Sequence, residues 1–269
     1  MVEDCTLSLI RNWDNFCSAM GNETIKVDDD FHIYLNKRVQ LSCDFTNCAT
    51  FVYRSKCQLS KVKSILFSKH IPFPLSLYVI FEHQELGNLA LARRRTSIMA
   101  LSDASVALNY NNEMPVLENV SVLSREDVQD FTDVVFTSFG YDERYKQESA
   151  QLYDIGMQSK VVKLYGLKID GKYVSVALSH SSDEMIGIEL VSTLPEHRGK
   201  GYASFLIKNI ITEESNHGYH TFWLFANEDG NAMGIYTSLG FKHIRKMDVI
   251  KLDNYESFHL GRRDNDTGF

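Results

Sequence analysis

The sequence predicts an α/β protein built on a mixed (α+β) sheet, and three observations carry that expectation. Helix-like and strand-like stretches alternate along the chain. Asp170-Gly171, the dipeptide of a tight hairpin, separates two apolar runs, "KVVKLYGLKID" and "KYVSVALSHS". The β-branched run "EMIGIELVSTL" feeds through "PEHRGKGYA" into the helical pattern "ASFLIKNIITEESNHG", giving a strand, a glycine turn and a helix in succession.

The first half opens with a helical pattern near Leu7–Met20. "FHIYLNKRVQL" and "ATFVYRS" read as strands, "SKVKSILFSKH" as a helix, "LSLYVIFE" as a buried strand and "ELGNLALARR" as a helix. "SDASVALNYNNEMP" (Ser102–Pro115) is polar, lacks apolar periodicity and ends in proline, so it reads as a linker. It divides the chain into an N-terminal α+β domain (1–101) and a second domain (116–252), followed by a polar tail (253–269). In the second domain "LENVSVL" is a short strand, and "SREDVQDFTDVVFTSFG" is a helix whose Ser124 and Asp127 have capping-box spacing. "SAQLYDIGM" continues the helical material before the hairpin. After the glycine turn the helix stops near Gly218, "YHTFWLFAN" is a strand, "AMGIYTSLGF" a short helix ended by Gly240, and "KMDVIKL" the last strand. No internal repeat is legible in the sequence.

Of 269 residues, 44% are apolar and 23% charged, the composition of a globular protein. No apolar run approaches the roughly 18 residues that cross a bilayer, and the N-terminus carries acids before any apolar stretch, the wrong order for a secretory signal. The expectation is a soluble, cytoplasmic protein without membrane partners. A formal net charge of −7 argues against a nucleic-acid partner. The dense basic cluster "ARRRT" at Ala92–Thr96 reads as a solvated edge or turn. The cysteines, Cys5, Cys17, Cys43, Cys48 and Cys57, are odd in number and form no paired CxxC set, so they read as reduced, mostly buried thiols, with no metal site. The sequons at Asn22, Asn119 and Asn265 are expected to be idle.

The glycine turn poses the chemical question. Glycine inside a regular element costs about 0.5–1 kcal/mol relative to alanine, yet Gly199 and Gly201 stand between strand and helix with the cations Arg198 and Lys200. A helix N-terminus offers unpaired N–H groups and the positive end of the helix dipole, and bare glycines let a phosphate approach them. An ordinary strand-to-helix loop whose glycines only relieve strain reads equally well. The stretch lacks the Gly-Lys-Ser/Thr ending of a P-loop and the spacing of a dinucleotide fingerprint.

Arg198-Gly199-Lys200-Gly201-Tyr202-Ala203 resembles the Arg/Gln-x-x-Gly-x-Gly/Ala signature of the GNAT superfamily of acyl-CoA-dependent N-acetyltransferases, and "AMGIYTSLGF" resembles that family's Ala-x-x-φ-Tyr-x-x-x-Gly-Phe helix, φ being apolar. The resemblance covers about residues 116–252. The whole layout is similar to two-domain GNAT proteins with a degenerate N-terminal GNAT-like domain, for which "PFPLSLYVIFEHQELGNLALARRRTSIMAL" would be the end of the first domain; an unrelated α+β domain is the alternative. "VSTLPEHRGKGYASFL" is close to the cofactor motif of that group and somewhat like that of glycine N-acyltransferases.

The resemblance implies acetyl-CoA as acyl donor and direct acetyl transfer to an amine, without an acyl-enzyme. The strand Glu189–Leu194 would splay from "TFWLFAN" to admit the pantetheine. Backbone groups of Val191, Ser192 and Thr193 would bond pantetheine and acetyl oxygen, and those of Gly199, Lys200, Gly201, Tyr202, Ala203 and Ser204 the pyrophosphate. Arg198 is partly structural and Lys200 a solvated cation aiding the phosphates. Tyr236 is the candidate general acid, a core tyrosine being the alternative. Glu189 is the candidate general base, direct or through water, and strand alternation puts Glu189, Val191 and Thr193 on one face. Asn227 either contacts the cofactor or caps a turn. Where family members often carry an asparagine ahead of the tyrosine, this chain has Asp229. The leading expectation is a small-molecule amine acceptor. A peptide or protein acceptor, a longer acyl chain, and an inactive acyl-CoA-binding sensor or scaffold are the alternatives. Sheet pairing between GNAT domains makes a homodimer a further expectation.

Overall fold

The computed structural model describes residues 2–36, 47–53, 64–66, 68, 75–81, 94–108, 120–182 and 185–252. The expected helix over 85–94 except Arg94, which begins a strand, most of that over 60–70, the second half of the linker (109–115), the tail, Cys43, Cys57, Asn119 and Asn265 lie outside the described residues. The first half contains α1 (Val2–Ala19), β1 (Asn22–Asp28), β2 (Phe31–Asn36), β3 (Cys48–Tyr53), β4 (Leu75–Phe81), β5 (Arg94–Leu101) and α2 (Ala104–Leu108). The second contains β6 (Val120–Val122), α3 (Val128–Phe139), α4 (Lys146–Gln158), β7 (Val162–Ile169), β8 (Lys172–Ser182), β9 (Met185–Thr193), α5 (Tyr202–Asn216), β10 (Thr221–Asn227), α6 (Ala232–Ser238) and β11 (Lys242–Leu252).

Local chemistry explains several of these elements. Asp170 and Gly171 both take positive φ, 50° and 79°, as a two-residue hairpin turn between β7 and β8 requires. Gly140 and Gly240 end α3 and α6 with φ of 66° and 90°. At the start of α3 the Asp127 carboxylate accepts from the Ser124 backbone N–H at 2.9 Å and its hydroxyl at 2.7 Å, while Tyr173 donates to the other oxygen at 3.0 Å. Hydrogen bonds from Ser124, the largest cause, hold the Asp127 carboxyl below its ordinary value. A carboxyl depressed on folding contributes stability above its unfolded pKa and loses it as pH falls through the folded one. Asp127→Asn is therefore expected to cost about 1 kcal/mol near neutral pH, the worth of a helix cap, and progressively less as the solution is acidified below about pH 4. Urea titrations at the two pH values check both.

The described strands form one sheet of 11, in the order β1-β2-β3-β4-β11-β5-β10-β9-β8-β7-β6. Its two halves repeat a topology that the sequence does not display. In each, a meander (β1–β3, β7–β9) leads to a parallel pair, β3 with β4 and β9 with β10. Each half then lends its last strand to the other: β11 pairs with β4, and β5 pairs with β10. This revises the expectation for "ARRRT". Arg94 and Arg95 begin a strand held between β11 and β10, not an edge or a turn. The segment expected to be a linker likewise opens with α2, whose Ala107 is buried beside α5.

Both faces of the sheet are covered. On one, Leu9, Trp13 and Phe16 of α1 and Phe131 and Val135 of α3 pack on Val176, Leu178 and Trp223. On the other, Leu206, Ile207 and Ile210 of α5 pack on Ala177, Ile186, Ile188 and Phe222, with Tyr236 of α6 in the same core. Cys17 and Cys48 are buried thiols outside any disulfide among the described residues. Asn22 is buried too, its amide donating to the Cys17 carbonyl at 2.5 Å, so that sequon is closed to modification. No helix among the described residues is long and apolar enough to cross a membrane.

Candidate functional site

The two parallel pairs differ where it matters. β3 and β4 stay in register from Cys48–Ser76 to Tyr53–Phe81, the full length of β3 and all of β4 but Leu75. β9 and β10 pair only from Met185–Thr221 to Ile188–Leu224, and beyond Ile188 they part. The cause lies in β9. Glu189 pairs with Leu178 and Ser192 with Val176, so Leu190 and Val191 together oppose the single Ala177. This bulge puts Leu190 at φ 54°, a strained conformation for a branched side chain. Ser192 braces it, its hydroxyl donating to the Leu190 carbonyl at 2.8 Å, and Ser175 donates to the Ser192 carbonyl at 3.0 Å.

The bulge corrects the expectation that Glu189, Val191 and Thr193 share a face. Residues opposite one another across an antiparallel pair point the same way. Glu189 and Ser192 therefore share the face of Leu178 and Val176, toward α1, while Val191 packs with the α5 core and Thr193 sits opposite Ser175. One extra residue in the strand reverses the alternation.

A cleft of about 710 Å³ opens where the strands part. Val191, Ser192 and Thr193 of β9 form one wall, and Arg198, Gly199, Gly201, Tyr202, Ala203 and Ser204 the floor; Tyr236 stands on the far wall with Ile235. The floor is the start of α5. Gly199 and Gly201 have φ of 75° and 82°, a conformation that L side chains rarely adopt. Nothing lies within 4 Å of the place where a Cβ on Gly199 would sit. Gly201 caps α5 without a side-chain hydrogen bond, and no acid occupies the first turn. Arg198 pins the turn from outside, Nε donating to the Thr193 carbonyl at 3.1 Å and a terminal nitrogen to the Ser138 carbonyl at 2.6 Å. Lys200 is exposed on the turn. Asn227 is exposed at the end of β10, where its side-chain oxygen accepts from the Asp229 N–H at 3.1 Å, as in a turn cap.

The Tyr236 phenol is pushed up from its ordinary value by burial first and then by the Glu189 carboxylate. Glu189 lies behind the opening, 4.0 Å from His180 Nε2. Ser138 and Phe139 from the end of α3, His197, and Asn231 at the start of α6 also line the cleft without having been expected from the sequence. Their positions depend on long-range packing and leave no local pattern.

A family model for FR47-like proteins matches residues 175–250, the stretch that contains the bulge, the turn and Tyr236. The structure is similar over most of its length to a GCN5-related N-acetyltransferase from Kribbella flavida, with 14% identity, a TM-score of 0.58, and 89% of this chain and 95% of that one covered. It also matches a tandem GNAT protein from the clavulanic acid biosynthesis pathway, with 11% identity, a TM-score of 0.56, and 83% and 78% covered. This chain has the two-domain GNAT fold. The structure is also similar to a functionally unknown conserved protein from Staphylococcus epidermidis ATCC 12228, with 14% identity, a TM-score of 0.64, and 87% of this chain and 95% of that one covered. No curated protein matches the sequence. Among the described residues the parting strands lie in the C-terminal half, and the parallel pair of the N-terminal half stays closed.

Proposed function

We propose that this protein is an acetyl-CoA-dependent N-acetyltransferase acting on a small amine. One observation carries the reading: a cleft of about 710 Å³ between parted parallel strands, floored by an uncapped helix N-terminus with two glycines at positive φ. The residues present fit coenzyme A. The start of α5, with its glycine cap and no acid in the first turn, suits a pyrophosphate, the open place beside Gly199 allows close approach, and the edge of β9 that parts from β10 beyond Ile188 faces the path of an extended pantetheine chain.

Bound there, acetyl-CoA supplies an acetyl thioester, and the amine nitrogen bonds the carbonyl carbon as the C–S bond breaks, giving an amide and the free thiol. Glu189 takes the proton that the amine loses, directly or through water. Tyr236 stays protonated through the neutral range, hydrogen-bonds the sulfur as negative charge develops on it and passes it the proton of the free thiol, which solvent replaces. The acceptor reaches Glu189 through the mouth of the cleft, because the α1 side that Glu189 faces is covered. That side is closed by aromatic packing, Trp13 against Trp223 and Phe225 at ring-centroid distances of 6.1 and 5.1 Å. The cavity beneath it is only about 10 Å³, room for about one water. Such a covered wall favours a small amine over a lysine on a folded protein. A cytoplasmic setting fits the reduced thiols of Cys17 and Cys48.

The test is free-thiol release with acetyl-CoA across a panel of small amines and peptides. Turnover of a small amine supports the reading, and turnover of peptides alone overturns the acceptor assignment. On the responding amine, Tyr236→Phe and Glu189→Gln are each expected to lower kcat about 10²-fold, the usual worth of a positioned acid or base, while the KM for acetyl-CoA stays within about threefold.

A further inference from the structure

β8 carries a histidine that the chemistry above does not use. His180 is fully buried, and neither ring nitrogen has a hydrogen-bond partner. Its ring stacks on Phe16 of α1 at 4.0 Å and 12°, and meets Trp13 and Trp223 edge-on at 6.3 and 5.5 Å. Its cross-strand partner is Gly187, and the absence of a side chain there is what admits the ring: a Cβ on Gly187 would lie 2.1 Å from Nε2. Nε2 points along β9 to Glu189, with Oε1 at 4.0 Å, about 1 Å beyond hydrogen-bond reach.

A buried polar ring without partners is expensive, and a core that needed only bulk would place phenylalanine there. Among the described residues the surrounding elements offer the ring nothing else that titrates: α1 presents Trp13 and Phe16, β10 Trp223, β7 the paired Val162, and β9 Gly187 and Glu189. Asp14 of α1 is engaged by His32 and Tyr34.

We propose that His180 is a positioning residue for Glu189: in the acceptor complex its Nε2–H closes on Oε1, fixing the carboxylate so that its other oxygen faces the amine. This rests on the assignment of Glu189 as the base. Burial pushes the imidazole down to about 3, so at neutral pH it is uncharged and acts as a donor, not as a cation. A donor to a carboxylate favours its ionised form, so removing it raises the carboxyl pKa.

The experiment compares the full chain with His180→Phe and His180→Gln. The Glu189 carboxyl and the imidazole are titrated with coenzyme A and the responding amine bound, the carboxyl by infrared difference spectroscopy with its band assigned by Glu189→Gln. His180→Phe is expected to melt no earlier than the unaltered protein, because an unsatisfied ring is exchanged for an apolar one of similar shape. It is expected at the same time to raise the Glu189 titration by about one pH unit, and His180→Gln, which keeps an N–H, to return part of that shift. In the unaltered protein, ¹⁵N spectra should show the proton on Nε2 and a shift that follows the Glu189 titration. An unmoved Glu189 titration in a folded His180→Phe, or a proton held on Nδ1 at every pH, overturns the proposal. Calorimetry with acetyl-CoA on the same samples separates the two readings. A protein that binds acetyl-CoA but whose Glu189 ignores His180 sinks the role of His180 alone, whereas a folded protein that does not bind overturns the acetyltransferase reading itself.

Discussion

Gly201→Glu is expected to abolish acetyl-CoA binding while the fold persists. The substitution puts a carboxylate at the cap of α5, where the proposed pyrophosphate would lie against the first N–H groups. Like charges at that distance in a partly enclosed cleft repel strongly. The cost to the fold is small by comparison. Position 201 has φ 82°, which charges a side chain about 1–2 kcal/mol, and an acid at a helix N-terminus returns about 0.3–1 kcal/mol. Thermal melts read both effects. At a ligand concentration of about 100 Kd the unaltered protein gains roughly 2.7 kcal/mol and its midpoint rises. The variant should melt slightly earlier alone and not move with coenzyme. A variant that still shifts fully would remove the pyrophosphate from the start of α5.

The second large effect concerns the lent strands. Residues 116–252 alone are expected not to form a cooperative fold, although the linker at 102–115 invites that cut. Without Arg94–Leu101, β10 and β11 lose the strand that joins them, six pairs to β10 and seven to β11. Without α1, Trp223 loses its Asn12 hydrogen bond at 2.9 Å and its aromatic cover. Three unpaired strand edges, one on β10 and both on β11, and an exposed apolar face predict aggregation. Near-ultraviolet circular dichroism and a melt check this. A sharp transition with native-like aromatic signals from 116–252 would show that the second domain is closed without the first.

These two expectations mark what the sequence conveys and what it does not. Local chemistry is legible: Asp170-Gly171 is a hairpin because both residues accept positive φ, Ser124 and Asp127 join at a helix start, and Gly199 and Gly201 sit at the foot of a helix. The cleft is legible to the same extent, because its floor is one continuous stretch and Tyr236 lies in a short motif. Long-range pairing is not. β5 begins with two arginines and looks like a boundary, yet its place is fixed by partners more than a hundred residues later in the chain (Asn227 faces Thr96). The bulge at Leu190 carries no glycine to announce it, so simple alternation put Glu189 on the wrong face. The fit of His180 against Gly187 is invisible until β8 and β9 are set side by side.

The most direct measurement is isothermal calorimetry of the full chain with acetyl-CoA. The cleft between β9 and β10 predicts saturable binding of one coenzyme per chain with a Kd in the micromolar range, where KM values of such enzymes commonly fall. A folded protein that releases no binding heat at any temperature tried, and whose melt is unmoved by millimolar coenzyme, would contradict it and leave the glycine turn a structural loop.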